Sequence, residues 1–246
     1  MEAGLIPEKT LSNIEQLKQQ LKLSHMENNL SKTRVILLGS TGTGKTTFMH
    51  LISECQMNAS KKDKNPLITL CCNGNCQASG LEMGYKSIAE TVLPSIIEQS
   101  NVLICDCPGL LDNRTLEQRI LNSISIDELL SKPCKIKILL FLTQADFESE
   151  KGQAVIKRFD EISHFFKDYS QLEQCIGLLI TKIDPGNEPK GLLEYVSCDG
   201  FQKNPLLNFF LKNPDKCFGT YKPTSIGKYT GFKDREKIIL FFQTGE

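Results

Sequence analysis

Gly39-Ser40-Thr41-Gly42-Thr43-Gly44-Lys45-Thr46 decides how the rest of this chain is read. The stretch fits the pattern G-x-x-x-x-G-K-[ST]. Apolar Val35-Ile36-Leu37-Leu38 before it reads as a short strand, and Thr47-Phe48-Met49-His50-Leu51-Ile52 after it opens a helix. A strand, a glycine loop and a helix start aim backbone N–H groups and the positive helix end at one anion. The natural ligand is therefore a polyphosphate. The glycines let the backbone wrap closely around phosphate oxygens. Lys45 is placed to put a cation on the β- and γ-phosphates, and the Thr46 hydroxyl to complete a magnesium shell. With glycine near 7% of residues, chance supplies such a match in roughly one chain of this length in a hundred, and the correct flanks lower that further.

The bulk composition narrows the classes. A chain of 246 residues suits one large α/β domain, or one domain with an appendage. Hydrophobic content of 40% supports a real core, and a mean hydropathy of −0.21 argues against a membrane bundle. No apolar run approaches the ~20 residues needed to span a bilayer, and the N-terminus has no signal-peptide core. A cytoplasmic protein without a transmembrane segment is expected. Lys+Arg and Asp+Glu both number 29, and no basic stripe alternates with aromatics, so no nucleic-acid partner is expected.

Ten cysteines are spread along the chain. Cys105, Cys107, Cys175, Cys71 and Cys72 lie on or beside apolar strands, where a reduced cysteine packs as a small hydrophobe. A disulfide framework is not expected at this length without an export signal. Cys71-Cys72-Asn73-Gly74-Asn75-Cys76 resembles half of a zinc site. No second half at C-x-x-C or H-x-x-x-H spacing accompanies it, so no metal is expected there. His25, His50 and His164 are scattered and read as surface or packing residues.

Residues 8–28 read as a polar helix with Leu11, Ile14, Leu17 and Leu21 at three-to-four spacing, too short to establish heptads. Lys61–Pro66 reads as a solvated loop. Residues 67–101 are the least readable: a strand at Leu67–Cys72, a Gly/Asn turn, then Ser87–Glu98 with a proline inside. A long polar insertion after a phosphate-loop helix is where nucleotide switches keep a mobile loop. Further on, strands are expected at Val102–Cys105, Ile136–Leu142 and Ile176–Ile180, with a weak one near Cys217–Tyr221. Helices are expected at Leu116–Leu130, Ser149–Lys167, about 203–212 and Asp234–Phe242. Alternation of this kind implies a mostly parallel sheet covered on both faces, with ligands at the carboxyl ends of the strands.

Two further motifs sit at such strand ends. Asp106-Cys107-Pro108-Gly109 follows the Val102 strand, about 60 residues past Lys45. Asp106 there would hold magnesium through water, and the Gly109 amide would meet a γ-phosphate and sense its loss. Thr181-Lys182-Ile183-Asp184 follows the Ile176 strand. A carboxylate at Asp184 can accept from the ring N–H and exocyclic amine of guanine, whereas adenine offers an acceptor and a C–H there. The stem of Lys182 can lie along the base and the loop. The alternatives are a plain strand-ending turn and a helix-capping aspartate.

On these residues the chain resembles a P-loop GTPase of the translation-factor-related class, within the septin-like group that holds the immunity-associated (GIMAP) and chloroplast-import (Toc) GTPases. The likeness is carried by Gly39–Thr46 with Thr47, by Cys105-Asp106-Cys107-Pro108-Gly109-Leu110-Leu111-Asp112 and by Thr181–Asp184. It covers roughly residues 33–185 well and 186–246 poorly. It implies an α/β three-layer P-loop NTPase G domain with a mostly parallel central sheet at 32–246, behind an N-terminal helical extension at 1–31. Implied ligands are GTP/GDP and Mg²⁺. Implied nucleotide contacts are Gly39, Ser40, Thr41, Gly42, Thr43, Gly44, Lys45, Thr46, Thr47, Thr181, Lys182 and Asp184. Metal contacts would be Thr46, Asp106 and a switch threonine, Thr91 first and Thr69 second; Lys45 and Gly109 would act in catalysis.

The chain departs from the pattern in places. Leu110 follows Gly109, where Ras-like enzymes carry the glutamine that orients attacking water. The resembling group lacks it too and is associated with slow or dimer-assisted hydrolysis. No S-A-K-like base-supporting loop is present; Ser197-Cys198 comes soon after Asp184, and Thr224-Ser225 is the other candidate. The expected function is a slow GTP-hydrolysing switch read by an effector protein or by a homodimer formed through the nucleotide face. The competing readings are an ATP-using P-loop enzyme and a non-hydrolysing scaffold stabilised by nucleotide.

Overall fold

The computed structural model describes residues 32–61, 68–72, 94–107, 134–163, 174–198 and 204–244, with single positions at 12, 15, 78 and 81 and within 123–129. Of the N-terminal segment 1–31, Ser12 and Glu15 are described; both are helical and exposed. Nine strands run in chain order. They are β1 (Thr33–Gly39), β2 (Met57–Lys61), β3 (Ile68–Cys72), β4 (Ser95–Gln99), β5 (Val102–Asp106), β6 (Ile136–Thr143), β7 (Ile176–Ile183), β8 (Cys217–Tyr221) and β9 (Gly227–Lys228) among the described residues. The helices are α1 (Lys45–Ile52), α2 (Gln144–Glu148), α3 (Gln153–Ser163), α4 (Pro189–Cys198), α5 (Pro205–Lys212) and α6 (Arg235–Gln243).

The main sheet has the order β4-β5-β1-β6-β7-β8, and only β4 is antiparallel to its neighbour. β1 pairs with β5 on one side and β6 on the other, so the connection reverses direction across it. Such a switch point opens a crevice at the carboxyl ends of the strands. The near-continuous apolar runs of β1, β5, β6 and β7 are buried on both faces, as a parallel sheet between helices requires. Alternate residues of β1 go opposite ways. Val35 and Leu37 pack with Phe48 and Met49 of α1 and Phe241 and Phe242 of α6. Ile36 and Leu38 pack with Phe159 of α3, Leu193 of α4 and Phe210 of α5. The result is three layers. Ile126 and Leu129, inside the expected Leu116–Leu130 helix, are helical and buried on the second face.

Several expectations need correction. The helix expected over Ser149–Lys167 begins instead at Gln153, after a short 3-10 turn in which Glu150 and Lys151 have φ of 47° and 55°. That left-handed turn separates α3 from α2, which the sequence reading left out. The proline-containing stretch Ser87–Glu98 ends in β4, joined to β5 by Ser100-Asn101 at φ of 50° and 64°. Positive φ at both central residues is the tight hairpin geometry that matches strand twist, and asparagine tolerates it. β2 was not anticipated: Met57 and Ala59 alternate inward, but Asn58, Ser60 and Lys61 carry little strand preference. With β3 and β9 it makes a second, three-stranded sheet. α4 was also missed, although Pro189 at its first position is a helix-start signal.

Candidate functional site

The glycine loop leaves β1 at Gly39 and enters α1 at Lys45. A side chain could not replace the hydrogen of Gly39, because its Cβ would lie 2.7 Å from Cβ of Phe141 on β6. Gly44 caps α1 at φ 90°, a left-handed conformation that turns the chain into the helix. Within the loop, Thr43 donates through its N–H (3.3 Å) and its hydroxyl (2.8 Å) to the Ser40 carbonyl. The Lys45 ammonium folds over the loop, donating to the carbonyls of Gly39 (2.9 Å) and Ser40 (3.1 Å).

The register Leu37↔Asp106 puts the last residue of β5 beside the start of this loop. The Thr46 hydroxyl donates to Oδ2 of Asp106 at 2.8 Å. Among the described residues, Oδ1 of Asp106 is buried with no hydrogen-bond partner. Burial pushes the Asp106 carboxyl above its ordinary range, against the pull of the Lys45 ammonium and the Thr46 hydroxyl. A buried acceptor left without a donor, next to a hydroxyl and a cation, is the donor set a magnesium ion with its waters would complete. Thr46 and Asp106 fit that metal.

On the other side, the tip of β7 closes onto the loop. The Thr181 hydroxyl donates to the Thr43 carbonyl at 2.7 Å, and Lys182 Nζ donates to the Gly42 carbonyl at 2.8 Å. The register Thr143↔Thr181 sets the start of α2 against the end of β7. There the Gln144 side chain clasps Asp184: its Nε2 donates to Oδ2 at 2.9 Å, and the Asp184 N–H donates to its Oε1 at 2.7 Å. Lys222, just past β8, pairs with Oδ1 at 2.8 Å. Its own N–H donates to the Ile183 carbonyl at 2.8 Å, pinning it beside the β7 tip.

The structure thus brings together Gly39–Thr46, Asp106, Thr181, Lys182 and Asp184, while Thr47 is the third residue of α1. Gly109, Leu110 and Thr91 fall outside the described residues. Thr69 lies in β3 of the second sheet, and its side chain is not described. Ser197-Cys198 belongs to the last turn of α4, where the Ser197 hydroxyl is bonded to the Glu194 carbonyl, so this pair is no base-supporting loop. Thr224 and Ser225 instead share a cleft with Pro185, Gly186 and Lys222, directly after Asp184. Gln144 and Lys222 escaped the sequence reading. A signal for Gln144 existed: Thr143-Gln144-Ala145-Asp146 is a capping-box pattern at the end of an apolar strand, and the Thr143 N–H and hydroxyl both donate to Asp146. Nothing in the sequence marks Lys222.

No family model matches the sequence, and no curated protein is similar to it. Among solved structures, the chain is similar to one of the chloroplast translocon components atToc33 and psToc159, whose dimerization is described as important for GTPase activity. The identity is 12%, 98% of this chain and 93% of that chain are covered, and the TM-score is 0.50. A probable GTP-binding protein engB is similar at 12% identity, 85% and 98% coverage and a TM-score of 0.48. Toc33 from Arabidopsis thaliana in complex with Mg²⁺ and GMPPNP is similar at 13% identity, 89% and 81% coverage and a TM-score of 0.44. The first likeness concerns the fold, and it agrees with the strand order: a three-layer α/β fold with a mostly parallel central sheet.

Proposed function

We propose that the chain binds a guanine nucleotide at this site together with Mg²⁺, and acts as a switch that hydrolyses GTP slowly to GDP and phosphate. One observation carries the reading. The phosphate loop, the end of β5 and the end of β7 are joined by side-chain hydrogen bonds at a single sheet edge, Thr46 to Asp106 and Thr181 to Thr43. Lys45 and the loop amides supply positive charge for the polyphosphate, and Thr46 and Asp106 are the residues that would hold the metal. When bound, the metal neutralises charge on the β- and γ-phosphates. An ionised carboxylate has about four acceptor positions, so Asp184 keeps capacity for guanine's two adjacent donors beside its bonds to Gln144 and Lys222. Leu110 offers no group to orient water. Turnover by positioning and charge alone is therefore slow, and a second copy meeting the nucleotide face is proposed to raise it.

The test is a fluorescence titration of labelled GTP against the chain and its Lys45→Ala variant, with unlabelled GTP and ATP as competitors. Binding is expected to vanish in the variant and to yield to GTP but not ATP. Affinity kept within threefold in the variant overturns the phosphate-loop assignment, and equal competition by ATP overturns guanine selection. Single-turnover phosphate release that rises with protein concentration supports hydrolysis assisted by a second copy. No release at any concentration replaces the enzyme with a non-hydrolysing scaffold.

A further inference from the structure

Guanine presents three consecutive groups on its pairing edge: the exocyclic amine, the ring N–H and the O6 carbonyl. A carboxylate answers the two donors, whereas O6 accepts and needs a donor of its own. The parallel strands β7 and β8 end side by side, and the register Ile183↔Tyr221 sets Asp184 next to Lys222 at their tips. The Lys222 ammonium lies 2.8 Å from Oδ1 of Asp184, with both side chains about half exposed. We propose that Lys222 donates to O6 of the bound base, so that a lysine side chain selects guanine in a chain with no S-A-K-like loop and fixes which way the base sits. The inference rests on the guanine-nucleotide reading of the site.

A count of hydrogens singles out this lysine. When a carboxylate takes the ring N–H on one oxygen and the amine on the other, O6 lies just past the oxygen that took the ring N–H. The donor flanking that oxygen is the one O6 meets. Oδ2 of Asp184 is flanked by the Gln144 amide, whose two hydrogens are both committed, one to Oδ2 at 2.9 Å and one to Oε1 of Glu148 at 2.5 Å. The amide cannot be turned over to change this, because the Asp184 N–H must meet its oxygen at 2.7 Å. Oδ1 is flanked by Lys222, which has three hydrogens. Among the described residues, Asp184 is the one acceptor that takes any of them. The ring N–H therefore goes to Oδ1, the amine to Oδ2 and O6 to Lys222.

The other polar groups nearby do not fit the role. Lys182 directs its ammonium at the Gly42 carbonyl, towards the phosphate loop. The hydroxyls of Thr224 and Ser225, in the same cleft, both donate and accept, so they do not separate a 6-oxo from a 6-amino group. An ammonium only donates. Adenine turns a 6-amino donor towards it, so Lys222 rejects adenine by a clash of donors, independently of what Asp184 attracts.

The backbone under Lys222 is held on both sides. Its own N–H donates to the Ile183 carbonyl at 2.8 Å, and the N–H of Tyr221 before it donates to the Gly231 carbonyl at 3.0 Å. The ammonium is thus delivered from a fixed point at the edge of the cleft that Lys222 lines with Pro185 and Gly186.

The experiment is a competition titration of GDP and 6-thio-GDP against ribose-labelled GDP, on the full chain and its Lys222→Met variant. Methionine keeps an unbranched stem and removes the donor. Sulfur is a weak acceptor, so the wild type is expected to prefer GDP about tenfold. In Lys222→Met, GDP should weaken about tenfold and 6-thio-GDP less than about threefold, so the preference falls to about threefold or less. The larger size of sulfur affects both proteins alike and cancels in this comparison. A wild type that binds the two nucleotides equally overturns the proposal, and that measurement stands even where the variant fails to fold. Unchanged GDP affinity in Lys222→Met overturns it too. So does an equal loss of both nucleotides, which makes Lys222 a residue that only steadies Asp184. In each of these cases the wild type still binds GDP and the guanine reading survives; a wild type that binds no GDP removes both.

Discussion

Gln144 is the residue whose removal tests most sharply how the base end of the site is built. It is buried at the start of α2 and makes two bonds to Asp184, one to the carboxylate and one from the backbone N–H. A hydrogen bond to a charged group contributes about 1.5–3 kcal/mol net, and a neutral one about 0.5–1.5 kcal/mol. The Asp184 side chain is 46% exposed, so water replaces part of what is lost. Half of the charged bond gives about 0.8–1.5 kcal/mol of lost orientation. That is about a four- to tenfold loss of GDP affinity for Gln144→Ala, since 1.4 kcal/mol is a factor of about ten. Gln144→Glu should lose more, because it sets a second carboxylate against Oδ2 while Lys222 stays where it is. Gln144 is a positioning residue, so the loss should fall on guanine and spare inorganic polyphosphate competition, which reads the Lys45 loop alone. The assay is a labelled-GDP titration with thermal unfolding run alongside. A Gln144→Ala variant that binds GDP within twofold of wild type refutes the reasoning. So does one that loses GDP and polyphosphate binding together.

Two further perturbations probe the scaffold. Gly152 sits at φ +84°, and an added Cβ would lie 2.6 Å from Cγ2 of Val196 on α4. Left-handed backbone costs about 1–2 kcal/mol and overpacking about 1–3 kcal/mol, so Gly152→Ala should lower Tm by roughly 5–15 °C. Val196→Ala added to it should restore the packing part alone, and an unchanged Tm in the single variant refutes the contact. Tyr229 donates its hydroxyl to the Tyr221 carbonyl at 2.6 Å, and burial pushes its phenol up to about 12. An unfolded chain loses that proton near pH 10, so between about 10 and 12 the native state binds more protons and stability falls as pH rises. Below that window the contribution is intact; across it about 2–3 kcal/mol is lost. Phenolate absorbance of the native chain at pH 11 should therefore fall short of that of the denatured chain. Equal absorbance refutes the burial argument.

The parts of the site legible in the sequence are those whose chemistry is local. Gly39–Thr46 is read because one loop must carry its own glycines, cation and hydroxyl. Asp106 and Thr181–Asp184 are read because each ends an apolar run that has to be a buried strand. What stayed hidden depends on register. Gln144 reaches Asp184 only because Thr143 and Thr181 are opposite each other on β6 and β7. Lys222 reaches the same carboxylate only because its N–H is tied to Ile183. Pairing joins partners 40 residues apart at Gln144–Asp184 and 140 apart at Lys182–Gly42, beyond the reach of any spacing rule. Residues that bind by themselves are visible in one dimension, and residues that act by holding another residue are not. The first group names the ligand class, and the second decides how firmly the site is shaped for it.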